Sequence, residues 1–334
     1  MNKIITIRFA RTAAAVLGTA LMFSLSATAC AAQKRMKIGW ASYPADIAVI
    51  ADAIEGGKTT AAALDVDIEW GLAAGAAAQA NAVDNLLAGG IDVLVIDPED
   101  SNAIGSSVAA ANKLGIPVIM WIGDNLGGGE TISFVSSDEE AGGYAISKWA
   151  MNRTGDKGRI GLVQGAKAHQ AGRLREQGFE RAKKEFPNVE LAGYGEANWA
   201  RDKANTLASD MLTRDPNLGV IIALSDDMAA GVYAAVVAAD AKVPVTGYNG
   251  SCEVLNLIWN GKIEATLYQG WRDIGSKVIE TAVAVAKGKT VEKRIVMPTY
   301  VVDRKLMDDV LAAGAGEKYT NGLFADVQRA SKGC

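Results

Sequence analysis

Short apolar runs and helix-period stretches take turns along this chain. Met36-Lys-Ile-Gly-Trp-Ala41 reads as a strand, apolar positions recur at helical spacing from Ala48 to Leu64, and Val66-Asp-Ile-Glu-Trp70 is again of strand length. The rhythm continues with a helix near Ala76 to Ala88, the strand Asp92-Val-Leu-Val-Ile96, a helix from Ser101 to Lys113 and the strand Pro117-Val-Ile-Met-Trp121. Strands this rich in Val, Ile and Leu belong to a sheet covered on both faces. A second series begins with a helix after Asp138 and the strand Arg159-Ile-Gly-Leu-Val163, then runs through Gly219-Val-Ile-Ile-Ala-Leu224 and Pro244-Val-Thr-Gly-Tyr248. Two similar halves of parallel strands joined by helices predict an α/β fold of two doubly wound lobes.

Such sheets bind ligands beyond the carboxyl ends of their strands, so the residues just after each run are the candidates. Tyr43 and Asp46 follow the first strand, Asp97 the third, and Trp121 and Asp124 the fourth. In the second half Gln164 and His169, Trp199, Ser225 with Asp226 and Asp227, Tyr248 with Asn249, and Gln269 occupy corresponding places. Aromatic rings beside carboxylates, amides and Arg suit a sugar or polyol. Its C–H faces stack on rings, and each of its hydroxyls both donates and accepts.

The first residues change the picture of where the protein works. Lys3, Arg8 and Arg11 precede an apolar run from Ala13 to Phe23 and a small-residue stretch from Ser24 to Ala32, the pattern of a secretory signal peptide over residues 1–32. Cleavage after Ala32 is favoured over cleavage after Ala29. Lipidation of Cys30 is the alternative, with Ala27 a weaker fit three positions before it than the usual leucine. The predicted leader carries three basic and no acidic residues, so its loss leaves 31 basic against 38 acidic and takes the net charge from -4 to -7, which disfavours a nucleic-acid surface. It also removes Cys30 and leaves Cys252 and Cys334 in an oxidising compartment, where a disulfide between them is expected and two free thiols are the alternative. Two cysteines alone do not make a zinc site.

Several stretches, in this order and spacing, make the chain resemble the periplasmic sugar-binding proteins of the ribose-binding type over nearly all of residues 36–300. They are Asp92-Val-Leu-Val-Ile-Asp-Pro-Glu-Asp-Ser101, Gly115-Ile-Pro-Val-Ile119, Val135-Ser-Ser-Asp138, Gly172-Arg-Leu-Arg-Glu-Gln-Gly-Phe179, Ser225-Asp-Asp-Met-Ala229, Gly247-Tyr-Asn-Gly250 and Tyr268-Gln269. The resemblance implies a type I periplasmic binding protein fold, with a three-stranded hinge crossed near Ser137, Gly270 and Pro298. One lobe would hold 36–137 plus 270–297 and the other 138–269 plus 298–334. It also implies a ligand set of Asp124, Arg173, Trp199, Tyr248, Asn249 and Gln269, to which the strand-end reading adds Tyr43, Asp46, Trp121 and Ser225. Where ribose binders carry an aromatic pair at the start of the first helix, the ungapped match is Val49 and Ile50. Ser225 and Asn249 likewise replace an Asn and an Asp of the family, so a ligand other than ribose is expected.

Other features have plainer readings. Arg175 and Arg181 read as solvated helix residues and the lone His169 as a loop residue. Asp227 reads as a helix cap, and Gly127-Gly-Gly129 as a turn without the lysine of a phosphate loop. No feature nominates a hydrolase's opposed carboxylates, a cofactor or a metal. The expected role is the solute-binding component of an ABC importer, a monomer in the periplasm that hands its ligand to a permease and its ATPase. A sensor presenting its closed form to a chemoreceptor or histidine kinase is the alternative.

Overall fold

The computed structural model describes residues 35–155, 158–316 and 318–334. The predicted leader and Cys30 lie outside the described residues. Among these residues no helix is long and apolar enough to cross a membrane.

The first half alternates β1 (Lys37–Ser42), α1 (Ala48–Leu64), β2 (Asp67–Leu72), α2 (Ala76–Ala88), β3 (Val93–Ile96), α3 (Gly105–Lys113), β4 (Val118–Trp121) and β5 (Ser133–Ser137). The second half continues with α4 (Glu139–Thr154), β6 (Arg159–Gln164), α5 (Gln170–Glu185), β7 (Glu190–Glu196), α6 (Arg201–Arg214), β8 (Val220–Ala223), α7 (Asp226–Ala238), β9 (Val245–Asn249), α8 (Cys252–Trp259) and β10 (Ala265–Tyr268). The chain ends with α9 (Trp271–Ala286), β11 (Arg294–Met297), β12 (Tyr300–Asp303), α10 (Arg304–Ala313) and α11 (Asn321–Ser331).

These strands form two six-stranded sheets, ordered β11-β5-β4-β3-β1-β2 and β12-β10-β9-β8-β6-β7. All described pairings are parallel except that of β10 with β12. The chain passes from the first sheet to the second after β5, returns after β10, and passes again between β11 and β12. Each sheet is buried by helices on both faces, as the continuous Val/Ile/Leu strands require. Glycines let the covering helices approach closely. A side chain at Gly56 or Gly275 would collide with the facing backbone where α1 meets α9, and Gly143 and Gly178 serve the same purpose between α4 and α5.

Helix starts are fixed by side chains that satisfy otherwise orphaned amides. Asp138 accepts from the Ala141 amide at the start of α4, and Ser225 from Met228 at α7. Ser251 accepts from Val254 at α8 and Asp303 from Leu306 at α10. Ser225, not Asp227, caps α7, because a cap must lie outside the helix and Asp227 is already in its first turn. Cys252 and Cys334 are disulfide-bonded with Cα atoms 5.9 Å apart, which ties the C-terminus beyond α11 to the start of α8.

Candidate functional site

A cavity of about 580 Å³ opens where the strand tips of the two sheets face one another. From the first sheet come Tyr43, Pro44, Asp46, Val49, Ile50, Asp97, Glu99 and Ile122, and from the second Ala166, His169, Arg175, Trp199, Ser225, Asp227 and Asn249. Four of the six described non-glycine residues with positive φ line it, namely Ile122 (59°), Asn198 (52°), Trp199 (67°) and Asn249 (126°). Positive φ is costly for a β-branched or bulky side chain, and such strain persists where the surroundings hold a residue for a purpose. Backbone geometry therefore marks this cavity independently of its lining chemistry.

Arg175 is the organising cation. It is buried, and its Nε donates to Glu139 Oε2 at 2.8 Å while one terminal nitrogen donates to the Leu224 carbonyl at 2.8 Å. The guanidinium lies 3.9 Å from the Tyr248 ring centroid and 5.3 Å from that of Trp199. Glu139 also accepts from the Tyr248 hydroxyl (2.9 Å) and the Gln269 amide (2.8 Å), and Gln269 Oε1 accepts from Asn249 Nδ2 (3.0 Å). Two rings and a carboxylate fix the plane of Arg175 before any ligand arrives, so it presents a pre-oriented fork of donors. Burial drives the Tyr248 phenol's pKa well above its usual range, with the Glu139 charge adding to it, so the hydroxyl stays a donor.

The opposite wall is acidic. Burial raises the carboxyl pKa of Asp97, opposed by the hydrogen bond from His169, and raises that of Glu99, which accepts from the Gly75 amide at 3.1 Å. Burial, followed by the charges of Asp97 and Glu99, holds the Tyr43 phenol protonated. On the second sheet's own side, Asp227 is paired with Arg201 at 3.0 Å. Among the described residues no cluster of His, Cys, Asp and Glu is arranged to hold a metal ion. The cavity thus offers rings, aliphatic surface, one fixed cationic fork, the amides of Asn198 and Asn249, the hydroxyls of Tyr43 and Ser225, and several acceptors, a set matched to an uncharged guest that is C–H on its faces and O–H on its edges.

Of the sequence-predicted set, Tyr43, Asp46, Trp199, Ser225 and Asn249 line the cavity. Tyr248 and Gln269 lie behind it, buried, as the supports of Arg175 and Asn249. Three others lie outside the lining. Trp121 is fully buried in the core of the first sheet, edge-on to Trp40 with centroids 4.9 Å apart; as the last residue of β4 its side chain takes the inward face, and the chain turns only at Ile122. Arg173 is absent from the lining and donates to the carbonyls of Lys167 and, at 3.1 Å, Ala168, whereas Arg175, read as solvated, takes the cavity position. Asp124 is likewise outside the lining, where its carboxylate meets Arg294 at 3.2 Å. His169, Asp97 and Glu99 are among the further lining residues that sequence reasoning left out of its ligand set. Their position at strand tips was the available signal.

The geometry defines a two-lobed receptor for a small polar solute. The chain matches the family described as periplasmic binding protein domain over residues 38–290, and it belongs to that family. It is 32% identical over 226 residues to the ribose import binding protein of Escherichia coli (strain K12), covering 67% of this chain and 74% of that one. It is 27% identical over 288 residues to the xylitol-binding protein of Mycolicibacterium smegmatis (strain ATCC 700084 / mc(2)155), covering 84% and 81%. Among solved structures, an ABC transporter solute-binding protein of Mycobacterium smegmatis with bound glycerol superposes with a TM-score of 0.76 at 28% identity, over 86% of this chain and 99% of that one. One from Actinobacillus succinogenes 130z with bound D-allose gives 0.78 at 25% identity, over 82% and 100%.

Proposed function

We propose that this protein is the solute-binding component of an ABC importer, that it encloses one monosaccharide or polyol between its lobes in the periplasm, and that its closed form delivers the ligand to a permease. The observation that carries this reading is the convergence of Arg175, Asn249, Trp199, Tyr43 and Asp97 from both sheets on one cavity. The similar proteins named for ribose and xylitol, and the neighbours bound to glycerol and allose, support a hydroxylated and uncharged ligand class.

The lobes of the proposal are 36–137 with 270–297 and 138–269 with 298–334. Arg175 and Asn249 would grip adjacent hydroxyls, Trp199 would stack on a C–H face, and Asp97 and Glu99 would accept. With Val49 and Ile50 where ribose binders stack aromatic rings, the first lobe offers aliphatic contact, which suits a guest without a flat ring face as well as it suits a pyranose. Titration calorimetry against pentoses, hexoses and alditols tests this. A binder is stabilised by its ligand, by about 2.7 kcal/mol at a hundredfold excess over Kd, so at least one member should give heat and raise the Tm. A panel without heat or thermal shift refutes the proposal.

A further inference from the structure

The two lobes also touch one another directly, at one edge of the cavity. The segment Ala168–Gln170, which follows β6, meets the loops after β3 and β4 through four hydrogen bonds. The Gln170 amide donates to Ser101 Oγ (3.1 Å), the Ser101 amide to the Ala168 carbonyl (3.4 Å), the Asp124 amide to Gln170 Oε1 (3.0 Å), and His169 Nε2 lies 3.0 Å from Asp97 Oδ1. The tautomer follows from the other ring nitrogen. His169 Nδ1 accepts from the Ala171 amide (3.1 Å) as the cap of α5, so the proton sits on Nε2 and points at Asp97. Gly123 admits the ring, since a Cβ there would lie 2.7 Å from Nε2.

We propose that Ala168–Gln170 is a latch that holds the lobes together through contacts between protein atoms, and that its Ser101–Gln170 part, outside the cavity lining, sets how long a ligand stays without choosing which ligand enters. The proposal rests on the two-lobe reading above. Ala168, His169 and Asp97 stand at the cavity wall, whereas Ser101 and Gln170 do not line it, and all four bonds join protein atoms to one another. The latch also has leverage. The chain crosses between sheets beside β5, β10, β11 and β12, whereas β6 lies three strands from β10. At about 4.8 Å per strand that is a lever arm of ~14 Å, so an opening of ~10° moves the segment ~2.5 Å and breaks all four bonds. Such bonds act only on the closed state and therefore on release more than on capture.

The test uses Ser101→Ala, Gln170→Ala and the double variant in the full chain. Small-angle scattering of the ligand-free proteins should give a larger radius of gyration for the double variant, with an unchanged Tm. Stopped-flow release should be roughly three- to tenfold faster per lost hydrogen bond, by the same factor for every ligand bound. An unchanged radius of gyration in the ligand-free double variant overturns the latch, as does a changed ranking of ligands, which would make these residues contacts. Failure of the unsubstituted protein to bind any sugar or polyol strikes only the function proposed above, because the scattering comparison needs no ligand.

Discussion

Arg173 and Arg175 show how narrow the margin is between a site residue and a bystander. Two positions on a helix are about 200° apart, so only one of the pair can face the cavity. Replacing Arg175 by Lys keeps a charge beside Glu139 and removes the planar fork. The variant should stay folded and lose about tenfold to a hundredfold in ligand affinity by calorimetry, whereas Arg173→Ala should change affinity less than threefold, the difference tracking donors at the cavity. Arg175→Ala is the harsher change. It leaves Glu139 buried without its partner and should cost about 3–5 kcal/mol in urea unfolding. Equal affinity losses in Arg175→Lys and Arg173→Ala would contradict the assignment of the cavity to Arg175 alone.

Among the elements, α11 has the least covalent claim on its place and the clearest tether. Among the described residues none beyond β12 belongs to a sheet, and the helix is held by Leu323 and Val327 in the core of the second sheet, by Asn256 Nδ2 donating to the Ala330 carbonyl, and by the bond between Cys252 and Cys334. Closing a loop over a sequence separation of 82 removes entropy from the unfolded chain worth about 4.5 kcal/mol in the chain-entropy account. Reduction, or Cys252→Ser with Cys334→Ser, should lower unfolding free energy by about 2–4 kcal/mol while leaving ligand affinity unchanged, since neither cysteine lines the cavity. A drop in affinity without a drop in stability would place the tether in the binding machinery instead. The same element scale explains why strand and helix were legible in sequence: β3, β4 and β8 are apolar at every position, and α5 begins where the polar cap His169 ends a loop.

For the whole molecule, the buried carboxylates set a direction for stability against pH. Burial pushes the Asp226 carboxyl up to about 6, although it accepts from Thr266 Oγ1 at 2.7 Å and from the Ser251 amide at 2.6 Å. Its folded pKa lies above the unfolded value near 3.9, so between those values the folded state binds more protons and unfolding free energy falls as pH rises. The contribution is present below about pH 4 and lost as pH passes 6, on the order of 2–3 kcal/mol. Urea unfolding from pH 4 to 7 should show a shallower decline in Asp226→Asn than in the unsubstituted protein; parallel curves would mean that Asp226 is ionised at no cost.

The α/β class, the alternation of elements and the strand-tip ring on which the cavity is built were legible along the chain because they follow from periodicity, and the family was legible because short stretches such as Gly172-Arg-Leu-Arg-Glu-Gln-Gly-Phe179 resemble it. The expected pairing of Cys252 with Cys334 also matches the structure. Which strand-tip side chains look inward was settled by packing between distant elements. Trp121 turned to the core and Ile122 to the cavity, Arg175 displaced Arg173, and His169 reached across to Asp97. A shift of one residue in a strand or two in a helix reverses the face a side chain takes. That phase is set by packing against distant elements and by a positive φ at a few residues, none of which is written in local spacing.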